Sequence, residues 1–182
     1  MKPPRTTSPD LDHLVKLFYD SPGDLGVFQE VTARDMPAVF RTLLAHDEHM
    51  TVAVEAHHRT PVDVRVLETD VTATHYSRKI LLHRQSDGEV VQFGIVRLNV
   101  HFLDPQVRQQ IERGQIPLAR ILIEHNVLRN VRLLSLWKVT PGAELLRLFG
   151  LEKPDTCYGR TALIYCNGVP AVELLEVVTP IG

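Results

Sequence analysis

The sequence predicts an α+β protein, a single domain over residues 1–182 with one largely antiparallel β-sheet and helices packed on it. Three observations lead there. Apolar residues recur at helical spacing in the first 46 residues and mostly at strand spacing afterwards. Helices and strands segregate along the chain, and no βαβ repeat with a Gly-rich phosphate loop interrupts them.

In order along the chain, residues 1–9 are rich in Pro, Ser and Thr and are expected to be loose. Leu11, Leu14, Val15, Leu17 and Phe18 then mark a helix behind the capping residues Ser8, Asp10 and Asp12, ended by Ser21-Pro22-Gly23. A second helix is predicted from about Arg34 to His46, with Met36, Val39, Phe40, Leu43 and Leu44 on one face. Strands follow at Thr51–Val54, at Val62–Glu68, where alternation is clearest, and at Tyr76–Leu82. A turn at Gln85-Ser86-Asp87-Gly88 leads into a long strand from Val90 to Phe102. Asp104-Pro105 opens a short helix that Gly114 closes, and Pro117 opens another through His125. Val131–Val139 reads as a strand and Ala143–Phe149 as a helical turn or two.

The last stretch, Cys157 to Pro180, reads as one β-hairpin. Two runs of branched and aromatic residues flank Asn167-Gly168, a pair that tolerates positive φ. The return strand is apolar except for Glu173 and Glu176, and a carboxylate in such a run must face water or find partners. A three-residue loop would bring Arg160 opposite Glu176. A two-residue loop would set Glu173 opposite Ala162, with no such pair. Because side chains alternate between faces, the two glutamates point to opposite sides unless a bulge intervenes.

Composition narrows the function classes. A chain of 182 residues with 44% hydrophobic content can bury a real core, and its net charge of −2, without basic blocks interleaved with aromatics, argues against nucleic-acid binding. A small-molecule partner is expected. The first ten residues lack the apolar core of a signal peptide and no segment has the length of a membrane span, so a cytoplasmic location is expected. Cys157 and Cys166 fit neither a CxxC motif nor a disulfide framework.

Nine histidines, among them His46, His49, His57, His58 and His125, raise the question of a metal-dependent enzyme. The helical HExxH signature is missing, so no metal or other cofactor is assigned. Arg78, just before the apolar run Ile80-Leu81-Leu82, points either to the inner face of the sheet, where its guanidinium would need a carboxylate, or outward to water.

Four places resemble the chorismate pyruvate-lyase family, which releases pyruvate from chorismate to give 4-hydroxybenzoate. His49-Met50-Thr51 with Glu55 is similar to the family's Met-Thr approach to its first strands. Tyr76-Ser77-Arg78-Lys79-Ile80-Leu81-Leu82 resembles the strand that supplies the carboxylate-binding arginine. Ile116-Pro117-Leu118-Ala119-Arg120 is similar to a Pro-Leu-Gly-Arg segment, with Ala119 in place of Gly. Tyr158-Gly159-Arg160, Asn167-Gly168-Val169-Pro170 and Glu176 resemble the closing hairpin that carries the catalytic glutamate.

The resemblance implies a chorismate lyase-like fold and cofactor-free lyase activity. It also implies roles for Arg78 on the ring carboxylate, Glu176 as general acid, and Met50 and Leu118 as contacts of the bound aromatic acid. Glu173 competes with Glu176, whose six-residue spacing from Pro170 favours it. Arg97 lies two positions beyond where some members of the family place a second arginine, and His125-Asn126 has no counterpart there. The same fold serves ligand-sensing domains of transcription regulators, so a non-catalytic aromatic-acid-binding module is the alternative.

Overall fold

A computed structural model describes residues 10–125 and 129–180. Residues 1–9 and Asn126, which carried two of the readings above, lie outside them. The chain opens with helix α1 (Leu11–Lys16), whose start is capped by the Asp10 side chain, followed by α2 (Pro22–Leu25) and strand β1 (Gly26–Val31). A 3-10 turn (Ala33–Asp35), α3 (Ala38–Leu44) and α4 (Met50–His58) come next. Strands β2 (Val62–Val71), β3 (His75–Arg84) and β4 (Val90–Asn99) lead to α5 (Pro105–Glu112) and α6 (Leu118–Glu124). The chain closes with β5 (Arg129–Pro141), α7 (Ala143–Phe149), β6 (Cys157–Cys166) and β7 (Val169–Val178).

All seven strands join one sheet in the order β1-β5-β6-β7-β4-β3-β2, and every neighbouring pair is antiparallel. The fold class is the α+β one that the pattern of periods predicts. Side-chain parity divides the core. Leu81, Phe93, Ile95, Leu175 and Val177 face α1 and α7. Val96, Leu98, Leu174 and Ile164 face α5 and α6, while Ile80, Leu82 and Val178 face α3 and α4. Helices therefore cover both sides of the sheet.

Three sequence expectations change. Thr51–Val54 is not a strand but the first turns of α4. Its β-branched residues favour strands only weakly, and helical geometry lets Met50 and Val54, four apart, bury on one side. Pro37 delays the second helix to Ala38, since it fits at a helix start and the residue before it disfavours helical backbone. β1 lies where no strand was predicted. It is an edge strand, and Val27 is largely exposed, so it lacks the alternation that marks a half-buried strand.

The hairpin settles its register in an unforeseen way. Asn167 and Gly168 both have positive φ, 52° and 81°, and form a two-residue loop between Cys166 and Val169. A bulge then shifts the pairing between Tyr165↔Pro170 and Ile164↔Val172, leaving Ala171 as the extra residue. The bulge produces the pairing that a three-residue loop would have given, so Arg160 sits opposite Glu176 despite the short turn.

Candidate functional site

Between the sheet and helices α4 and α6 lies a cavity lined by Met50, Ile80, Gln92, Leu118, Leu174 and Glu176, among others. Met50 opens α4 and Leu118 opens α6, so two helix starts and four strands, β3, β4, β6 and β7, supply its walls. Three residues singled out by the sequence, Met50, Leu118 and Glu176, thus meet in one place. The enclosed space is about 30 Å³, room for roughly one water. α4 and α6 are also tied across it by an ion pair between Arg120 and Glu55, whose carboxylate accepts the Val62 N–H as well. An organic ligand is larger than this space and needs its walls to move.

Glu176 faces this cavity together with Leu174 and Val178, while Glu173, Leu175 and Val177 face the other side, as strand alternation requires. Glu173 pairs there with Arg97 at 2.7 Å, half-exposed, which accounts for both residues without any role in the cavity. Glu176 accepts a hydrogen bond from Nε of Arg160 at 2.8 Å. Arg160 is fully buried, and its other two nitrogens donate to the carbonyls of His46 (2.9 Å) and Glu48 (2.8 Å). The pair fastens the segment between α3 and α4 to the sheet. Gly159 is what allows the strands to run so close beside it, because a Cβ there would lie 2.6 Å from the Glu176 carbonyl oxygen.

Arg78 points inward. Its side chain is fully buried on the same face as Ile80, and Nη1 donates to the Ile111 carbonyl at 3.2 Å. Among the described residues, Nε and Nη2 make no hydrogen bond of normal geometry and no ion pair with a carboxylate, although the Tyr76 hydroxyl lies beside the guanidinium. These two nitrogens form the edge with which a guanidinium grips a carboxylate by two parallel hydrogen bonds. Burial disfavours the cation and lowers the Arg78 pKa, and the Tyr76 hydroxyl beside it opposes that shift. That hydroxyl is likewise buried, and among the described residues its closest interaction is with the Arg78 guanidinium, at a geometry too poor to count as a regular hydrogen bond.

Arg78 is not itself a wall of the cavity. Its strand neighbour Val96 is, and so is Leu174 beyond it, so the Arg78 position stands in the sheet beside the cavity wall while Nη1 reaches toward α5. From Arg78 to Glu176 the sheet spans two strand spacings, about 10 Å, and two residues along, about 7 Å. The sequence missed Gln92, which is buried on this wall with Oε1 unpartnered among the described residues. Its only signal was a polar residue inside the apolar run Val90–Leu98.

The histidines do not converge. His46 and His49 flank the segment held by Arg160, the rings of His57 and His58 stack edge to face on α4, and His125 bonds Gln110. Among the described residues no group of three or more His, Cys, Asp or Glu side chains is arranged to hold a metal ion. No helix among them is long and apolar enough to cross a membrane.

No model of a known protein family matches this chain, and no curated protein matches it. Solved structures match it in fold. PhnF from Mycobacterium smegmatis aligns with a TM-score of 0.50 at 13% identity, over 72% of this chain and 63% of PhnF. The effector domain of PhnF alone aligns with a TM-score of 0.50 at 14% identity, over 71% of this chain and 86% of that domain. The possible transcriptional regulator YydK from Bacillus subtilis aligns with a TM-score of 0.47 at 14% identity, over 65% of this chain and 58% of YydK. The chain thus spans about three fifths of the length of the two whole regulators and most of the isolated effector domain.

Proposed function

We propose that this protein binds a small organic acid, of the aromatic carboxylate class, in the cavity between α4, α6 and the sheet, with Arg78 holding the carboxylate. One observation carries the reading: a fully buried guanidinium whose carboxylate-gripping edge makes no regular hydrogen bond among the described residues. A buried charge without a partner costs several kcal/mol, so a fold that keeps one has a use for it. The apolar walls Met50, Ile80, Leu118 and Leu174 suit a ring, and no metal or cofactor is needed for recognition of this kind. The fold shared with the PhnF effector domain supports a binding role.

Glu176 fits this reading as scaffold. Arg160 engages its carboxylate, and the two charges balance each other, so Glu176 anchors the α3–α4 segment above the cavity. A second reading, a lyase that eliminates pyruvate from chorismate with Glu176 as general acid, draws on the fact that Glu176 lines the same cavity as Met50 and Leu118.

One experiment separates the two. The purified chain is titrated calorimetrically with 4-hydroxybenzoate, and in parallel incubated with chorismate while pyruvate is followed. Saturable binding without pyruvate release is the expected result. Pyruvate release without added metal would replace the binding reading with the lyase one, and no binding of any aromatic acid would remove both.

A further inference from the structure

We propose that Gln92 is a specificity-determining residue, selecting ligands that carry an uncharged hydrogen-bond donor at the end remote from the carboxylate. The inference rests on the binding role assigned to Arg78. Gln92 is 2% exposed, lines the cavity, and its Oε1 accepts no hydrogen bond among the described residues. Its strand neighbours Leu82 and Val178 are apolar and face the same cavity side. The protein therefore offers that oxygen nothing to bond. A buried acceptor left in this condition is costly, and a ligand that supplies a donor recovers the cost.

The polar groups on this face are divided by kind. At the Arg78 margin stand the donors Nε and Nη2. Toward Gln92 the unpartnered group is an acceptor, Oε1 of Gln92, beside that residue's own amide N–H groups, and one diagonal position away across the β4–β7 pairing stands the carboxylate of Glu176, of which Arg160 is bonded to Oε2. Gln92 lies four residues along β4 from Val96, the partner of Arg78, about 13 Å of strand, and the two side chains themselves take up part of that length. Between the two ends the walls are Ile80, Leu118 and Leu174, which want an apolar spacer.

Charge fixes the donor as neutral. Arg160 and Glu176 cancel, so among the described residues the cavity's margin carries one positive charge without a carboxylate, that of Arg78. A monocarboxylate with a hydroxyl or an aromatic amine at its far end balances it. A ligand with an ammonium there would still pair its carboxylate with Arg78 but would bring a buried positive charge of its own, leaving the face at a net charge of +1.

The test compares acids of matched shape that differ only in the donor: 4-hydroxybenzoate against 4-fluorobenzoate, titrated into the full chain at pH 7. The wild type is expected to bind the hydroxy acid about tenfold more tightly, the size of effect that satisfying one buried acceptor gives. In Gln92→Leu and Gln92→Met the ratio is expected to fall to about one, with the fluoro acid bound at least as well as before. Both variants exchange an unpartnered acceptor for apolar atoms in an apolar surround, so their thermal melts should not fall. The wild-type ratio is a test that needs no variant: equal affinities there overturn the proposal. A hydroxy preference that survives in both variants overturns the assignment to Gln92 while leaving the Arg78 site standing. If neither acid binds the wild type, the Arg78 reading fails and this inference with it.

Discussion

Replacing Arg78 with methionine should make the ligand-free protein more stable and unable to bind. Methionine keeps the unbranched apolar stem but not the guanidinium tip, and it carries no charge and no donor. In the wild type, Nε and Nη2 of Arg78 are buried without a regular hydrogen bond among the described residues. Each such group costs about 1–3 kcal/mol, and at the low end the pair costs about 2 kcal/mol. Against this stands the single bond from Nη1 to the Ile111 carbonyl, worth about 1 kcal/mol. That carbonyl keeps a partner in the Gly114 N–H at 3.1 Å, so it is not orphaned by the change. The balance is a gain of about 1 kcal/mol. For a chain of this size each kcal/mol moves Tm by about 2–4 °C, so the midpoint should rise by about 2–4 °C.

The assay is a pair of thermal melts, with and without an aromatic acid. In the wild type, ligand at a hundredfold excess over Kd should add about 2.7 kcal/mol of apparent stability. In Arg78→Met that increment should vanish while the ligand-free midpoint stays high. Arg78→Lys should show neither pattern: it keeps the buried charge, so stability does not rise, and it loses the planar fork, so the ligand increment shrinks. A variant Arg78→Met that melts lower than the wild type and keeps its ligand increment would refute the reasoning, because the arginine would then be structural and the ligand held elsewhere.

Two further outcomes follow from the ion pairs and the thiols. Glu176→Ala strips the partner from a fully buried Arg160 and should cost about 3–5 kcal/mol, whereas Glu173→Ala breaks a half-exposed pair with Arg97 and should stay within about 1 kcal/mol of wild type. Equal losses in urea unfolding would mean the two faces of β7 are not as distinct as its alternation implies. Burial pushes the Cys157 thiol from its ordinary 9.0 up to about 12. The folded state holds that proton more tightly than the unfolded one, so its contribution is complete below pH 9 and drains away between pH 9 and about 12, at a slope of at most about 1.4 kcal/mol per pH unit. Urea melts at pH 8 and pH 10.5 should show a steeper loss for the wild type than for Cys157→Ala, and native Cys157 should resist alkylation at pH 8. Parallel pH profiles in the two proteins would contradict it.

The sheet was legible where alternation or turn chemistry is strong. Val62–Glu68, the Asp87-Gly88 turn and the Asn167-Gly168 hairpin each carry a local physical reason for their backbone, and the structure follows them. Where tertiary context decides, the sequence gives little sign. Met50–Val54 is compatible with a strand or a helix, and it is the burial of Met50 and Val54 against the sheet that makes it helical. β1 exists because β5 offers it an edge along Gly26–Val31, a contact with a segment more than a hundred residues away.

The site divides in the same manner. Arg78, Met50, Leu118 and Glu176 were all found on the cavity face or at its margin, but their relations were not readable. Arg160 could pair with Glu176 only in one register, and the turn that forms is the one expected to forbid it; the bulge at Ala171 restores the pairing. Such a bulge has no composition of its own, since Ala171 is an ordinary strand residue, and it is set by what the hairpin must satisfy. Without the extra residue, the fully buried Arg160 would face an apolar neighbour in place of Glu176, and an unpaired buried guanidinium costs far more than a local break in the ladder. With it, the buried arginine on this face left without a carboxylate among the described residues is Arg78, whose Nη1 alone is bonded, to the Ile111 carbonyl. The same sheet that goes to such lengths to compensate Arg160 leaves Arg78 open, and that contrast is the physical basis for assigning Arg78 to a ligand.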